Sequence, residues 1–317
     1  MAPIKYASES HHRPGRHWTT KQKDKLRCEL RAVGEASLPS VPNYNCFSES
    51  PTAFDNKVMV IAREGGSTGR IVAFVSCILL TIDGIGTVLH TGLTCVLPEK
   101  RRQGLQGRLF ARLHRLLCAE YPSGIWFSSV SSSLCSLVSL LLATSNVFPS
   151  PDVVTPQDTH VRIATAISQN HRTELDIEGD VTFDPERFLF YSSPDSPWWK
   201  DPANKDYHHR NKILNNFYVS AMEQVPGSEV LQVGFMDPML YLRVGRTSIR
   251  VAHASTAYSV LEYGSKLSEL LSMIGSHFLS SRPFWRRFTN LRKRSLYRRM
   301  LILLPEISTA QHRADQN

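Results

Sequence analysis

Between Thr87 and Cys118 the chain sets three consecutive cations, Lys100, Arg101 and Arg102, beside two glycines, Gly104 and Gly107. Glycine has no Cβ, so a ligand can come close to the backbone there. A helix beginning at this point leaves its first N–H groups without partners and carries partial positive charge. Donors and charge together suit a phosphate or pyrophosphate. The candidate holders are Arg101, Arg102, Gln103, Gly104, Leu105, Gln106 and Gly107. The same residues also read as a plain strand-to-helix connection with its arginines in water.

Other residues near this turn can do acid–base work. His90 is a candidate base because imidazole titrates near neutrality. It also reads as a packed strand histidine. Glu99 reads as a cap or a solvated acid, and Asp83 as a hairpin residue. Asp206, His208 and His209 lie in the second half, where sequence does not place them. The six cysteines, at 28, 46, 77, 95, 118 and 135, show no C-x-x-C spacing and no zinc pattern. Cys77, Cys95, Cys118 and Cys135 lie in apolar runs and read as small buried hydrophobes, Cys95 being the best placed for chemistry. No Ser-His-Asp order, H-E-x-x-H, Walker turn or Rossmann fingerprint is present, and no metal is expected.

The elements that position the turn follow from periodicity. Thr87 to Leu97 alternates as a strand, ended by Pro98, which has no N–H for a ladder. Leu105, Leu109, Leu113, Leu116 and Leu117 then fall at helical spacing. Upstream, 57–63 and 70–82 read as strands, and Asp83-Gly84 as a hairpin turn. Downstream, 125–131 reads as a strand parallel to 87–97, since a helix crosses between them. Leu134 to Thr144 reads as an apolar helix. A further helix is expected over 20–33, with 35–56 as a loop.

The run Val96-Leu97-Pro98-Glu99-Lys100-Arg101-Arg102-Gln103-Gly104-Leu105-Gln106-Gly107 resembles motif A of the GNAT acyltransferases. That family has a strand ending V-x-P, then R/Q-x-x-G-x-G/A, then a leucine-rich helix. Arg101 and Gly104 match. Gln106 stands where the family prefers Gly or Ala, and Gly107 follows one place late. The resemblance implies an α/β (α+β) fold: a mixed, mostly antiparallel central sheet with flanking helices. It also implies acetyl-CoA or another acyl-CoA as co-substrate. The amides from Arg102 to Gly107 would hold the pyrophosphate, and Leu93, Thr94, Cys95 and Val96 the pantetheine arm. A backbone N–H at Cys95 or Val96 would polarise the thioester carbonyl. The loop 35–56 would roof the acceptor site. The tyrosine that GNAT enzymes often carry on the second helix after the turn is missing from 134–144.

Net charge is +9, with 42% hydrophobic and 21% charged residues, as for a globular protein with an anionic ligand. No signal peptide and no membrane-spanning run is visible, so a soluble, cytoplasmic protein with reduced thiols is expected. Residues 1–19 read as a disordered arm and 20–250 as the acyltransferase domain. An aromatic insert at about 180–206 reads as an ordered loop, with Trp198, Trp199 and His208 as weak pocket candidates. Helices are expected at 156–170 and 207–222, and strands at 229–235 and 241–251. Residues 251–317 read as a helical, basic extension. Arg282 to Arg299 holds eight cations and no acid, interleaved with Phe284, Trp285 and Phe288. It suits an anionic surface or a partner protein, with nucleic acid less favoured, or simply a solvated helix face.

The expected function is acyl transfer from CoA to a small-molecule amine or hydroxyl, bulky or apolar given the aromatic second half. One alternative keeps the fold and changes the chemistry to decarboxylation, hydrolysis or cyclisation of a thioester or polyketide-like intermediate. A substrate-sized pocket lined by Trp198, Trp199 and His residues, with Gln106 blocking the cradle, would favour that alternative. The other is a non-catalytic binding protein that uses 282–299.

Overall fold

β-Branched and aliphatic residues dominate three successive segments, and these form the centre of the sheet. The computed structural model describes residues 6–191, 199–222 and 227–238. β2 (Lys57–Glu64), β3 (Ile71–Ile82) and β4 (Gly86–Val96) make an antiparallel meander. Gly84 and Gly86 adopt the left-handed backbone at the β3–β4 turn, with φ of 67° and 94°. β5 (Ile125–Ser131) then pairs with β4 in parallel. β9 (Ser228–Met236) pairs antiparallel with β5, and the sheet order is β1-β2-β3-β4-β5-β9-β8-β7, with the short β6 (Ser145–Phe148) also on β9.

Eleven of the twelve β3 residues are buried, so both faces of the strand are covered. On one face, Phe47 stands edge-on to Phe74, and Ile78, Leu80 and Ile82 cluster with Ile163 and Ile167. That face is covered by α1 (Thr20–Ser37), the short turn Asn45–Phe47 and α4 (Asp158–Asn170). The alternate residues Val75, Cys77 and Leu79 share a cluster with Leu109, Leu113 and Leu117 of α2 (Leu105–Glu120). α1 starts at the residue its chemistry dictates: Thr19 and Gln22 form a reciprocal capping box. α3 (Leu134–Ala143) packs with Tyr218 and Met222 of α5 (Lys212–Met222).

Two expectations are corrected. Residues 6–12, read as part of a disordered arm, form β1 (Tyr6–His12), which pairs with β2 over its whole length. Its polar sequence, YASESHH, hid an edge strand held by backbone bonds and by Glu9, whose carboxylate takes the Arg63 guanidinium at 2.9 Å. Pro14–Arg16 continues as a 3-10 turn. The aromatic insert, read as a loop, contains the hairpin β7 (Thr182–Asp184) and β8 (Leu189–Tyr191), which extends the sheet beyond β9. These strands have three residues each, too short for alternation to show. The expected strand 241–251, the helical extension expected over 251–317 with its basic segment 282–299, and Trp198 lie outside the described residues.

Two irregularities in β4 shape the site. Ser76 pairs with Leu93 but Cys77 pairs with Thr91, which leaves Gly92 as an extra residue in a bulge. β4 and β5 also share only three pairs, ending at His90 with Ser128, although β4 runs on to Val96 and β5 to Ser131. The strands part beyond that point. Asn45 holds the bulge: its Nδ2 donates to the Ser76 carbonyl at 3.2 Å, and its Oδ1 accepts from Ser76 Oγ at 2.7 Å, all buried. A Cβ on Gly92 would meet Asn45 Nδ2 at 2.1 Å and the Ser76 carbonyl oxygen at 2.8 Å. Gly92→Ala should therefore cost about 1–3 kcal/mol, read as a lower urea midpoint at unchanged m. A Gly92→Ala protein as stable as the parent would show that this bulge is not clamped.

Candidate functional site

The site is built from the part of β4 that has lost its β5 neighbour and from the turn that follows. The Leu97 N–H donates to the Val72 carbonyl of β3 at 3.0 Å. Antiparallel pairing alternates inward and outward backbone groups, and the register is regular from Ala73–Val96 to Ser76–Leu93. Leu93 and Cys95 therefore direct their backbone groups to β3. Thr94 and Val96 direct theirs to the gap. Of the two donors expected to polarise a carbonyl, at Cys95 or Val96, the Cys95 amide serves the ladder, and the amides of Thr94 and Val96 face the gap. Thr91 Oγ1 donates to the Ser128 carbonyl at 3.3 Å and satisfies an acceptor where the ladder ends.

Beyond Val96, Pro98–Lys100 forms a 3-10 turn, Arg102 takes φ 63°, and Gly104 takes φ 72° as the N-cap of α2. No side chain caps this helix, so the N–H groups of its first turn point outward unshielded. A Cβ on Gly104 or Gly107 would meet nothing within 4 Å. Gln106 is exposed and does not fill that space. The cradle expected from Arg102 to Gly107 is open.

The cations of the turn divide into two groups. Lys100 is bonded to Glu64, which also accepts from Arg70 at 3.1 Å, and Lys100 first among them holds the Glu64 carboxyl below its usual range. Arg101 donates to the carbonyls of Val96 at 3.3 Å and Ser37 at 3.2 Å, pinning the turn against the end of α1. Tyr6 donates to Gln103 at 2.6 Å and fixes it from β1. Arg102 and Arg108 are exposed and have no ion pair among the described residues. They are the side chains left free for an anion, and Arg108 was not among the sequence candidates.

His90 is brought to the point where β4 and β5 part, but not as a base. Its Nδ1 lies 3.0 Å from Ser128 Oγ, and burial first, with His171 second, pushes its pKa down to about 3. A base that weak takes little from an amine. His90 is a neutral strut between the strands. The Cys95 thiol is buried and pushed up to about 12, which excludes it as a thiolate at neutral pH.

The second-half candidates are partly assembled. The Lys200 N–H donates to Ser132 Oγ at 2.8 Å, which places Trp199 and Lys200 beside the end of β5. His208 Nε2 pairs with the Pro202 carbonyl at 2.8 Å and stays local. Two polar residues that the sequence did not single out lie on the sheet face covered by α1 and α4: Tyr44, in the loop after α1, and Glu229, on β9. Glu229 was legible as an anomaly, an acid in phase with the core residues Leu231 and Val233. Tyr44 gave no local signal.

Among the described residues no group of three or more His, Cys, Asp or Glu is placed to hold a metal, and no helix is long and apolar enough to cross a membrane.

No family model and no curated protein sequence matches the chain. Solved structures similar to it include the ribosomal-protein-S18-alanine N-acetyltransferase of Escherichia coli, at 14% identity and TM-score 0.30, covering 47% of this chain and 86% of that one. A GNAT family acetyltransferase from Brucella melitensis, in complex with acetyl-CoA, aligns at 15% identity and TM-score 0.29, over 38% of this chain and 75% of its own. A GNAT family N-acetyltransferase from Escherichia coli, in complex with CoA, aligns at 15% identity and TM-score 0.25, over 44% and 69%.

The buried histidines make an acid limb. The unfolded chain binds a proton on His90 below its ordinary 6.5, and the folded chain only near 3. Folded-state stability is therefore lost as pH falls through that window, at up to about 1.4 kcal/mol per unit for this residue. His114, pushed down by burial to about 4, adds to it. His90→Gln should flatten the fall of urea midpoint between pH 6 and pH 4, and an unchanged slope would contradict a buried neutral imidazole. Within residues 57–131 the meander, the bulge, the parallel but parted β4–β5 pair and the glycine turn into α2 follow one another in the order the motif implied.

Proposed function

We propose that the chain is an acyl-CoA-dependent acyltransferase acting on a small-molecule amine or hydroxyl. The observation that carries this reading is continuity. An unpaired β-edge, Thr94 to Val96, leads directly into an uncapped helix start at Gly104. A pantetheine arm is an amide-bearing chain that can add to such an edge by backbone hydrogen bonds. Its pyrophosphate then falls on the first-turn amides of α2, with Arg102 and Arg108 alongside. The acyl group would lie in the gap between β4 and β5, where a Thr94 or Val96 N–H can stabilise the oxyanion formed on attack.

The fixed geometry supplies proximity: donor thioester and acceptor are held together in one cleft between rigid strands. The alternative of a cradle closed by Gln106 is disfavoured by the exposure of that side chain and the empty space over Gly104 and Gly107. The alternative built on 282–299 concerns residues outside those described.

Calorimetric titration with acetyl-CoA and longer acyl-CoAs tests the reading. Binding is expected, and Gly104→Val should weaken it at least tenfold, because valine resists φ 72° and its branches enter the anion space. Arg102→Ala with Arg108→Ala should weaken it less, with a smaller salt dependence. Absence of binding by the parent protein to every acyl-CoA tried would sink the proposal.

A further inference from the structure

β1 is the last strand of the sheet, and no strand among the described residues pairs with its other edge. The backbone register fixes what that edge offers. The Arg13 N–H donates to the Lys57 carbonyl at 2.7 Å, and β1 pairs with β2 without a break from Tyr6–Glu64 to His12–Val58. Antiparallel bonding alternates, so Ala7, Glu9 and His11 turn their backbone groups to β2. Tyr6, Ser8, Ser10 and His12 turn theirs outward. No residue of β1 is buried, and Ser8 near its middle is exposed. An open edge of this kind is a template for another strand.

α2 lies along the same strand. The Tyr6 hydroxyl donates to Gln103 at 2.6 Å, just before the helix begins, and the Tyr121 hydroxyl lies 3.5 Å from His12 Nε2, just after it ends. The helix therefore runs beside β1 from one end to the other, and the side chains of Tyr6 and His12 face it. Its buried stripe is Leu105, Leu109, Leu113 and Leu117. At helical spacing Arg108, Arg112 and Arg115 share one flank of that stripe, and His114 and Cys118 the other. Burial first, then Asp237 just past β9, raises the Cys118 thiol, which puts its flank on the β9 side. The arginine flank is the one turned to β1: burial first, with Arg63 and Arg112 adding to it against Glu9, holds the His11 imidazole low. Arg108, Arg112 and Arg115 have no ion pair among the described residues, and Arg112 Nε is buried without a partner. Like charges three and four residues apart repel, and burial, then Arg115, disfavours the Arg112 charge. The nearby acids do not answer it. Glu9 is held by Arg63 at 2.9 Å, and Glu120 stands at the far end, 4.0 Å from His12.

We propose that the outer edge of β1 and the arginine flank of α2 together bind an extended acidic segment of another protein, which adds to the sheet as a strand antiparallel to β1. The outward N–H and C=O groups of Ser8 and Ser10 carry its backbone bonds. Side chains directly opposite Ser8 and Ser10 project to the α2 face, one residue in two. Acids at those positions meet Arg112 and Arg115. The residues between them fall on the other face, beside Ala7, Glu9 and His11, where neutral side chains fit because Arg63 already answers Glu9. A second copy of this chain fits less well: pairing β1 with β1 about a two-fold axis sets the two arginine flanks against each other. A nucleic acid can use the cations but has no amide backbone for the edge. β2 and β3 stand between this surface and the gap at β4, so the inference is independent of the acyl-CoA reading.

The test is fluorescence anisotropy with the full chain and a labelled peptide of about nine residues, carrying Asp or Glu at every second position and Val or Thr between them. Saturable binding is expected, weakening as salt rises. A peptide of the same composition with its acids in one block should bind about tenfold more weakly, since only alternation puts every acid on one face. Arg112→Gln with Arg115→Gln should weaken the alternating peptide about tenfold and flatten its salt dependence. Ser10→Pro removes one outward N–H and leaves the bonds to β2 in place, so binding should fall about tenfold while the urea midpoint stays near the parent's. No binding of the alternating peptide, equal binding of the blocked one, or indifference to the arginine changes would each overturn the proposal. So would a parent dimer in sedimentation that Ser10→Pro dissociates, which assigns the edge to a second copy. Binding of a single-stranded oligonucleotide in place of the peptide, lost with the arginines and kept in Ser10→Pro, would assign the flank to nucleic acid and overturn it too.

Discussion

Everything at the site depends on the parting of β4 and β5 after three residue pairs. A strand in the middle of a sheet has no reason to give up a neighbour, because each unpaired backbone group facing the interior costs about 1–3 kcal/mol. Here the groups are partly answered by side chains. Thr91 covers the Ser128 carbonyl, His90 and Ser128 bond to each other, and Arg101 and Ser37 reach the Val96 carbonyl. What remains uncovered, chiefly the outward N–H groups of Thr94 and Val96, is the part a ligand with amide groups can answer. The opening is therefore stable as a structure and incomplete as a hydrogen-bonding surface.

The bulge and the polar turn at Asn45 belong to the same device. The extra residue at Gly92 changes the phase of β4, so that the half beyond it presents its backbone to the gap in a new register. Asn45 and Ser76 occupy the space that a side chain at position 92 would need. The loop after α1 is thus tied to the sheet close to where the sheet opens. At α2 the turn carries outward N–H groups and the exposed Arg102 and Arg108.

Much of this was legible. Pro98, the cation run and Gly104 set a strand end, a basic turn and a helix start, each for a local chemical reason. Asp83-Gly84 announced a hairpin, and the helix between two apolar strands announced a parallel pair. Local signals failed where long-range pairing decided. β1 has a polar sequence and is a strand only because β2 offers it an edge. β7 and β8 are too short for periodicity and are ordered by β9. His90 was a reasonable base on residue type, and its burial against Ser128 removed it. The direction of the Cys95 amide depends on register, which local sequence does not carry.

The sequence by itself determined the order of the central elements and the basic, glycine-bearing turn at Gly104. Both arise from backbone conformation and neighbouring side chains within about a dozen residues. Tertiary structure alone decided which backbone groups face the gap and which cations are paired. Those follow from strand register and from contacts between Asn45 and Ser76 and between Lys100 and Glu64. The physical reason is range. A helix cap or a tight turn is settled by a few adjacent residues, whereas the pKa of a carboxyl or imidazole is set by what distant segments bury around it.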